Sequence, residues 1–492
     1  MRKTAIHVLG VLGIFVMLLS SSPSFGQEQT VEGAPTDTAA WALSRYVTNL
    51  KYEDLPANVV AKAKERILDS LGTAYGAYNA PSMVALRKVI AEEGGTPEST
   101  IIGSGQKTSA INATMVNGAM IRYLDFSDTY WSKIGFMHPS NEISTALAVA
   151  ERQHASGKDL ILATVLGYEI QSRLADTFAW GKFEQHSGAG FTAPIVAGKL
   201  IGITAEQMAN AIGIGASHNF ALAGDYGVGY TSNMKAFAYA AGSGSGVLAA
   251  LMAQQGFTGP VTIIETFNKS FMGDVSLAPL VNPDPRGFLI LQAETKPYEA
   301  FHVSHSAIAG VIQLTKEHSI QPDQIEKILI RGLPSRQTSE ARRDLRIPAT
   351  HEDADHNLPY LLAAGIVDGA VGPDQLALAQ WKDPEFQQLM AKMWFQGDAE
   401  MTKGFPEQWE CDVTFTMKDG TVYTQHIDLP KGQPGNPMTE QEIEAKFSNM
   451  ALKLMPQSQV DQIIKTVNNL ENLNDVSVLT KLLAAQKTRT PN

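Results

Sequence analysis

Apolar positions recur every three or four residues through most of the first half of the chain. That spacing lines one face of a helix, so it predicts helices near 36–50, 56–78, 82–93, 109–122, 140–155, 157–177, 190–202, 204–218 and 235–255. Two-residue alternation is almost absent here, apart from a short extended piece expected within 98–103. The pattern changes after Gly256-Phe-Thr-Gly-Pro260, and Asn282-Pro-Asp-Pro285 is a second breaker cluster. Beyond it, 326–333 and 411–417 alternate like strands. Lys418-Asp419-Gly420 joins the latter to 421–429 as a hairpin, while 301–317, 359–371 and 374–380 keep helical spacing. Thr439-Glu-Gln-Glu442 is a capping box, and helices resume over 443–454, 461–469 and 476–486. The expected fold is mainly α. A large all-helical domain covers 36–284, an α+β domain covers 285–432 as an insertion, and helices in 433–492 return to the helical domain.

Small residues interrupt the apolar pattern at Gly242-Ser-Gly-Ser-Gly246. No Gly-Lys-Ser/Thr follows, and no strand precedes, so this is not a phosphate loop. Gly213-Ile-Gly215 fails the dinucleotide fingerprint because His218 fills the third position. These residues are read instead as sites of close helix–helix approach.

The first 26 residues carry a different pattern. Arg2 and Lys3 precede an apolar run from Ile6 to Leu19, then Ser24-Phe25-Gly26. This is the layout of a cleavable signal peptide, and the run is short for a membrane span. A mature chain beginning near Gln27 is expected, periplasmic or secreted, with no membrane attachment after cleavage at Gly26/Gln27.

Composition narrows the chemistry. The chain has 492 residues, 44% hydrophobic and 18% charged, with a net charge of −11 and no long basic run. Nucleic acid is therefore an unfavoured partner. The one cysteine, Cys411, excludes an intrachain disulfide and a conventional iron–sulfur cluster. Its alternating surroundings make it a buried strand residue. His318 and His426 read as surface residues.

The richest polar stretch is Arg122-Tyr-Leu-Asp125-Phe-Ser-Asp128-Thr129-Tyr130, followed by Met137-His138-Pro139-Ser140. It falls between two predicted helices, with Ser140 as a plausible N-cap. Such a junction lets side chains converge while helices hold them. Asp and Thr are also common in connections for backbone reasons alone. His302 and His305 are three apart on a predicted helix and could share a metal, although no third ligand is evident nearby. No metal and no organic cofactor is expected.

Several motifs together resemble the MmgE/PrpD family. Leu124-Asp-Phe-Ser-Asp-Thr129 with His138-Pro-Ser140 is similar to one of its signatures. So are Lys235 with the run to Gln255-Gly-Phe-Thr-Gly-Pro260, Lys296-Pro-Tyr298 with His302 and His305, Asn357-Leu-Pro-Tyr360 with Asp368-Gly369, and Gly435-Asn-Pro437 with Lys446-Phe447. Ser127 and Glu299 depart from the pattern, and the segment around His186 is diverged. The resemblance implies a helical domain with an α+β lid, a homodimer, and action on a small polycarboxylate without a metal cluster.

By that resemblance His138, Asp125, His186 and Tyr360 are the candidate catalytic residues. Thr129, Lys235, Lys296 and His302 are the candidate substrate-binding residues. Asp125 and Thr129 would position the histidines, His138 would carry a proton, and the lysines would clamp carboxylates. The implied reaction is elimination of water from a 2-methylcitrate-like acid. Decarboxylation of a cis-aconitate-like acid, isomerisation or epimerisation, and binding without chemistry are the alternatives.

Overall fold

Thr38, Ser109, Ser156 and Thr204 each accept a hydrogen bond from a backbone N–H in the first turn of the helix that follows. These caps satisfy donors that a helix leaves orphaned, so they fix where the helices start. The computed structural model describes residues 33–223, 231–332 and 341–485. The expected signal segment, 1–26, lies outside them. The fold is mainly α. Its first part runs through α1 (Ala39–Asn49), α2 (Ala57–Ala77), α3 (Pro81–Glu93), α4 (Ala110–Tyr123), α5 (Asn141–Arg152), α6 (Gly157–Thr177), α7 (Ala189–Ile201), α8 (Ala205–Ala216) and α9 (Met234–Gln254).

Helix α9 is the spine of this part and packs against α4, α7 and α8. It is long and apolar enough to cross a membrane by composition alone. Packing on several sides accounts for that apolar character here. Its glycines permit the approach. A Cβ at Gly242 would stand 2.8 Å from the Cβ of Ala189, and one at Gly246 would stand 2.5 Å from that of Ala193.

One apolar core joins these helices to Leu289, Ile290 and Ala293, and to Ile443, Phe447 and Met450 of the helix Glu440–Ala451. That helix lies along α2, where Gly72 makes room for Met450. A second core holds the helices His305–Glu317 and Leu358–Asp368 and a four-stranded sheet. The strand order is Met393–Gln396, Ile325–Arg331, Cys411–Met417, Val422–Ile427, with the first pair parallel and the others antiparallel. Cys411 is fully buried, and burial pushes its thiol up.

Some expectations need correction. Ser140 stands at the N-cap position, but its backbone is already helical and its side chain accepts nothing from the first turn. The turn through His138 and Pro139 begins the helix early, with Asn141 N–H donating to the His138 carbonyl. His302 sits in a short 3-10 turn before the helix that His305 starts. The helix Pro384–Met390, the parallel strand Met393–Gln396 and a hairpin of Tyr130–Trp131 with Phe136–Met137 were not foreseen. Segments this short show too little periodicity to read.

Candidate active site

The site begins where α4 ends. The chain leaves at Leu124, makes the two-residue hairpin, and enters α5. Asp128 ties the two ends of this loop together. Its Oδ1 accepts the Ser140 N–H at 3.1 Å, and its carbonyl lies 2.7 Å from His138 Nδ1. A carbonyl only accepts, so Nδ1 carries the proton in that bond. The Thr129 hydroxyl lies 3.2 Å from the same nitrogen. His138 Nε2 is thereby left with its lone pair, and it has no hydrogen-bond partner among the described residues.

Beside His138 stands a buried group of charges. Asp125 Oδ1 accepts from Arg122 and from Lys296, both at 2.9 Å. Burial alone would raise the Asp125 carboxyl, but Lys296, Lys235 and Arg122 outweigh it and hold it well below the usual range. Burial and Arg122 lower Lys296, against the pull of Asp125. His138 is driven well below the ordinary imidazole range, by burial first and then by Arg122 and Lys296. It is therefore neutral at physiological pH, the form that can accept a proton.

A cavity of about 240 Å³ opens on these groups. Arg122, Asp125, Thr129, His138, Glu184, Lys296 and His356 are among its polar lining residues. Trp131, Phe136, Phe301 and His302 line it as well. A larger crevice of about 650 Å³ runs beside the helix Glu440–Ala451. No histidine lines it, and its lysines, Lys446 and Lys453, already pair with Asp69 and Asp374. The smaller cavity is the one with proton-transfer groups.

Of the candidate residues, Asp125, Thr129, His138, Lys296 and His302 line one cavity. His302 is heavily engaged there. Its Nδ1 contacts the Glu294 carboxylate, and its Nε2 accepts from the Gln433 amide at 3.0 Å. Lys235 stands one layer behind, fully buried and paired with the Asp355 carboxylate. His186 and Tyr360 are not in the cavity wall. His186 sits in the 3-10 turn Gln185–Gly188 with its ring edge-on to Tyr239. Tyr360 lies in the second core, where its hydroxyl donates to the Gln375 carbonyl at 2.7 Å.

Sequence reasoning missed Arg122, His356, Trp131, Phe136 and Phe301 as site residues. Arg122 had a signal, since three residues separate it from Asp125. His356 had a weaker one, next to Asp355 and just before Asn357-Leu-Pro-Tyr360. Two groups could bring metal-ligating atoms together: Asp125, Asp355 and His356; and Glu299, His351 and Asp355. Lys235 already pairs with Asp355, which both groups share, and Lys296 with Asp125 of the first, so a divalent cation would face an ammonium group in either. His305 is spoken for as well: its Nε2 donates to the Ala300 carbonyl at 3.3 Å, and burial pushes its pKa down to about 3.

Residues 42–276 match the MmgE/PrpD N-terminal domain, and residues 298–472 match the MmgE/PrpD C-terminal domain. Cis-aconitate decarboxylase from Mus musculus is 26% identical over 460 residues, covering 89% of this chain and 91% of that protein. The Homo sapiens cis-aconitate decarboxylase is 25% identical, covering 89% and 92%. A 2-methylcitrate dehydratase from Cupriavidus necator is 22% identical over 442 residues, covering 84% and 90%.

Proposed function

The chain belongs to the MmgE/PrpD family, and from that premise we propose that it is a lyase acting on a small polycarboxylic acid. The observation that carries this reading is His138: neutral, held by Asp128 and Thr129, with a bare Nε2 beside Arg122 and Lys296. A proton on carbon next to a carboxylate becomes removable when nearby cations stabilise the charge that develops. His138 is the base for that step. Arg122 and Lys296 hold the substrate's carboxylates while sharing Asp125, which keeps the two cations close without full repulsion.

Two lyase reactions fit such a site. In the first, His138 takes a proton from carbon, the carbon–carbon double bond forms, and the carbon–oxygen bond breaks as the departing oxygen takes a proton and leaves as water. In the second, the bond to a carboxylate carbon breaks, carbon dioxide leaves, and the electron pair is protonated on carbon. Elimination of water is the reading carried forward from the sequence motifs. The greater similarity of the decarboxylases, over a longer part of the chain, favours the second. Proton NMR in deuterated water with 2-methylcitrate, cis-aconitate and related di- and tricarboxylates separates them. Loss of water, loss of carbon dioxide and bare exchange at carbon give distinct spectra. If no member of the panel changes, the lyase reading fails. A rise in melting temperature with one of them would then favour a binding protein.

We read the α+β unit as a lid over this cavity. Lys235 to Asp355, Thr231 N–H to Asp353, and Asn233 to Glu352 are the contacts that would part on opening. Export after cleavage near Gln27 and assembly as a homodimer belong to the same proposal. N-terminal sequencing that finds Met1 intact would refute the first, and a monomeric mass by sedimentation would refute the second.

A further inference from the structure

A lyase of either kind needs a group that delivers a proton, to the departing oxygen in elimination or to carbon in decarboxylation. His138 is arranged only for removal. The other accessible imidazole on the cavity wall is His356, whose side chain is 35% exposed. His302 is closed off on both nitrogens by Glu294 and Gln433. His356 comes from the opposite unit, just before the helix Leu358–Asp368.

Its ring is held on two sides. Nδ1 donates to Asp355 Oδ1, while Asp355 Oδ2 holds the Lys235 ammonium. The Phe301 ring stacks against it at 5.8 Å and 16°, and the Phe301 N–H donates to the Asp355 carbonyl. A carboxylate on one imidazole nitrogen fixes which tautomer and orientation the ring adopts. The other nitrogen, Nε2, lies 3.5 Å from Asp125 Oδ2, on the cavity side. So two carboxylates flank His356, whereas Arg122 and Lys296 bear on His138.

We propose that His356 is the catalytic proton donor, lining the same cavity as His138 and oriented by the Lys235–Asp355 pair. This rests on the lyase reading. In elimination, His138 takes the carbon-bound proton, the double bond forms, and the departing oxygen takes the His356 Nε2 proton and leaves as water. In decarboxylation, the carbon–carbon bond breaks, carbon dioxide leaves, and the released electron pair takes that same proton to form the new carbon–hydrogen bond. In both, His356 regains its proton from solvent.

The test compares wild type, His356→Gln and His356→Ala on whichever panel acid the wild type converts. A general acid of this kind contributes about 10²- to 10⁴-fold. Both variants are expected to lose that much kcat while the acid still raises their melting temperature. Added imidazole is expected to restore part of the turnover of His356→Ala, which a merely structural role would not allow. Variants within threefold of wild-type kcat would overturn the assignment and leave the lyase reading standing. So would lost turnover that imidazole does not relieve, if the ligand-induced stabilisation vanishes with it. A wild type that converts no acid would overturn the lyase reading itself.

Discussion

At the scale of the residue, His138 is decided by its hydrogen bonds. The Asp128 carbonyl sets the tautomer, and burial with Arg122 and Lys296 keeps the ring neutral. The acid limb of kcat/KM should therefore lie well below the ordinary imidazole pKa, with no loss of activity between pH 7 and 6 from this group. A limb centred near 6.5 would contradict it. His305 offers a cleaner titration. Its folded pKa is about 3 against 6.5 for the unperturbed group, so the unfolded chain binds the extra proton between those values. Its contribution to stability is full above pH 6.5 and is lost as pH falls toward 3. His305→Gln should flatten the fall in unfolding free energy between pH 6 and 4 by about 1.4 kcal/mol per pH unit. Urea titrations at several pH values read this directly, and parallel slopes for variant and wild type would refute it.

At the scale of the element, long helices were legible and short pieces were not. The segment read as 157–177 is helix Gly157–Thr177, because six turns of apolar spacing leave little choice. The Tyr130–Trp131 hairpin carries no period, yet it sets the distance from Asp125 to His138. Asp125, Thr129 and His138 could be read because they share one connection. Lys296 and His302, from the second unit, were carried by a motif, whereas His356 and Phe301 of that unit stood at no motif position read as functional. His186 and Tyr360 show the converse limit: a motif places a residue in the chain without saying which way its helix or turn faces. The glycines of α9 were read as points of close approach, and the contacts at Gly242 and Gly246 explain why. Gly246→Ala should lower stability by about 1–3 kcal/mol through overpacking against Ala193 and Pro194, measured by chemical denaturation. An unchanged midpoint would mean that α7 and α9 part more easily than their packing implies.

At the scale of the whole molecule, the cavity is made where two cores meet. Lys235 of α9 and Asp355 beside the second core are both fully buried, and removing Asp355 leaves the Lys235 charge uncompensated. Asp355→Leu should destabilise the protein by about 3–5 kcal/mol. Asp355→Leu with Lys235→Met should recover much of that loss, because no lone buried charge remains. A double variant as unstable as the sum of the singles would show that the pair does not couple the units. The net charge of −11 makes the local gathering of Arg122, Lys296 and Lys235 the more telling, since it places positive charge where the molecule as a whole has little.

The most direct measurement is substrate conversion by wild type and His138→Asn, followed by NMR in deuterated water. The account predicts that wild type turns over a small polycarboxylate, and that the variant folds, still binds the acid, and is slowed about 10²- to 10⁴-fold. A His138→Asn protein that converts the acid at the wild-type rate would contradict it.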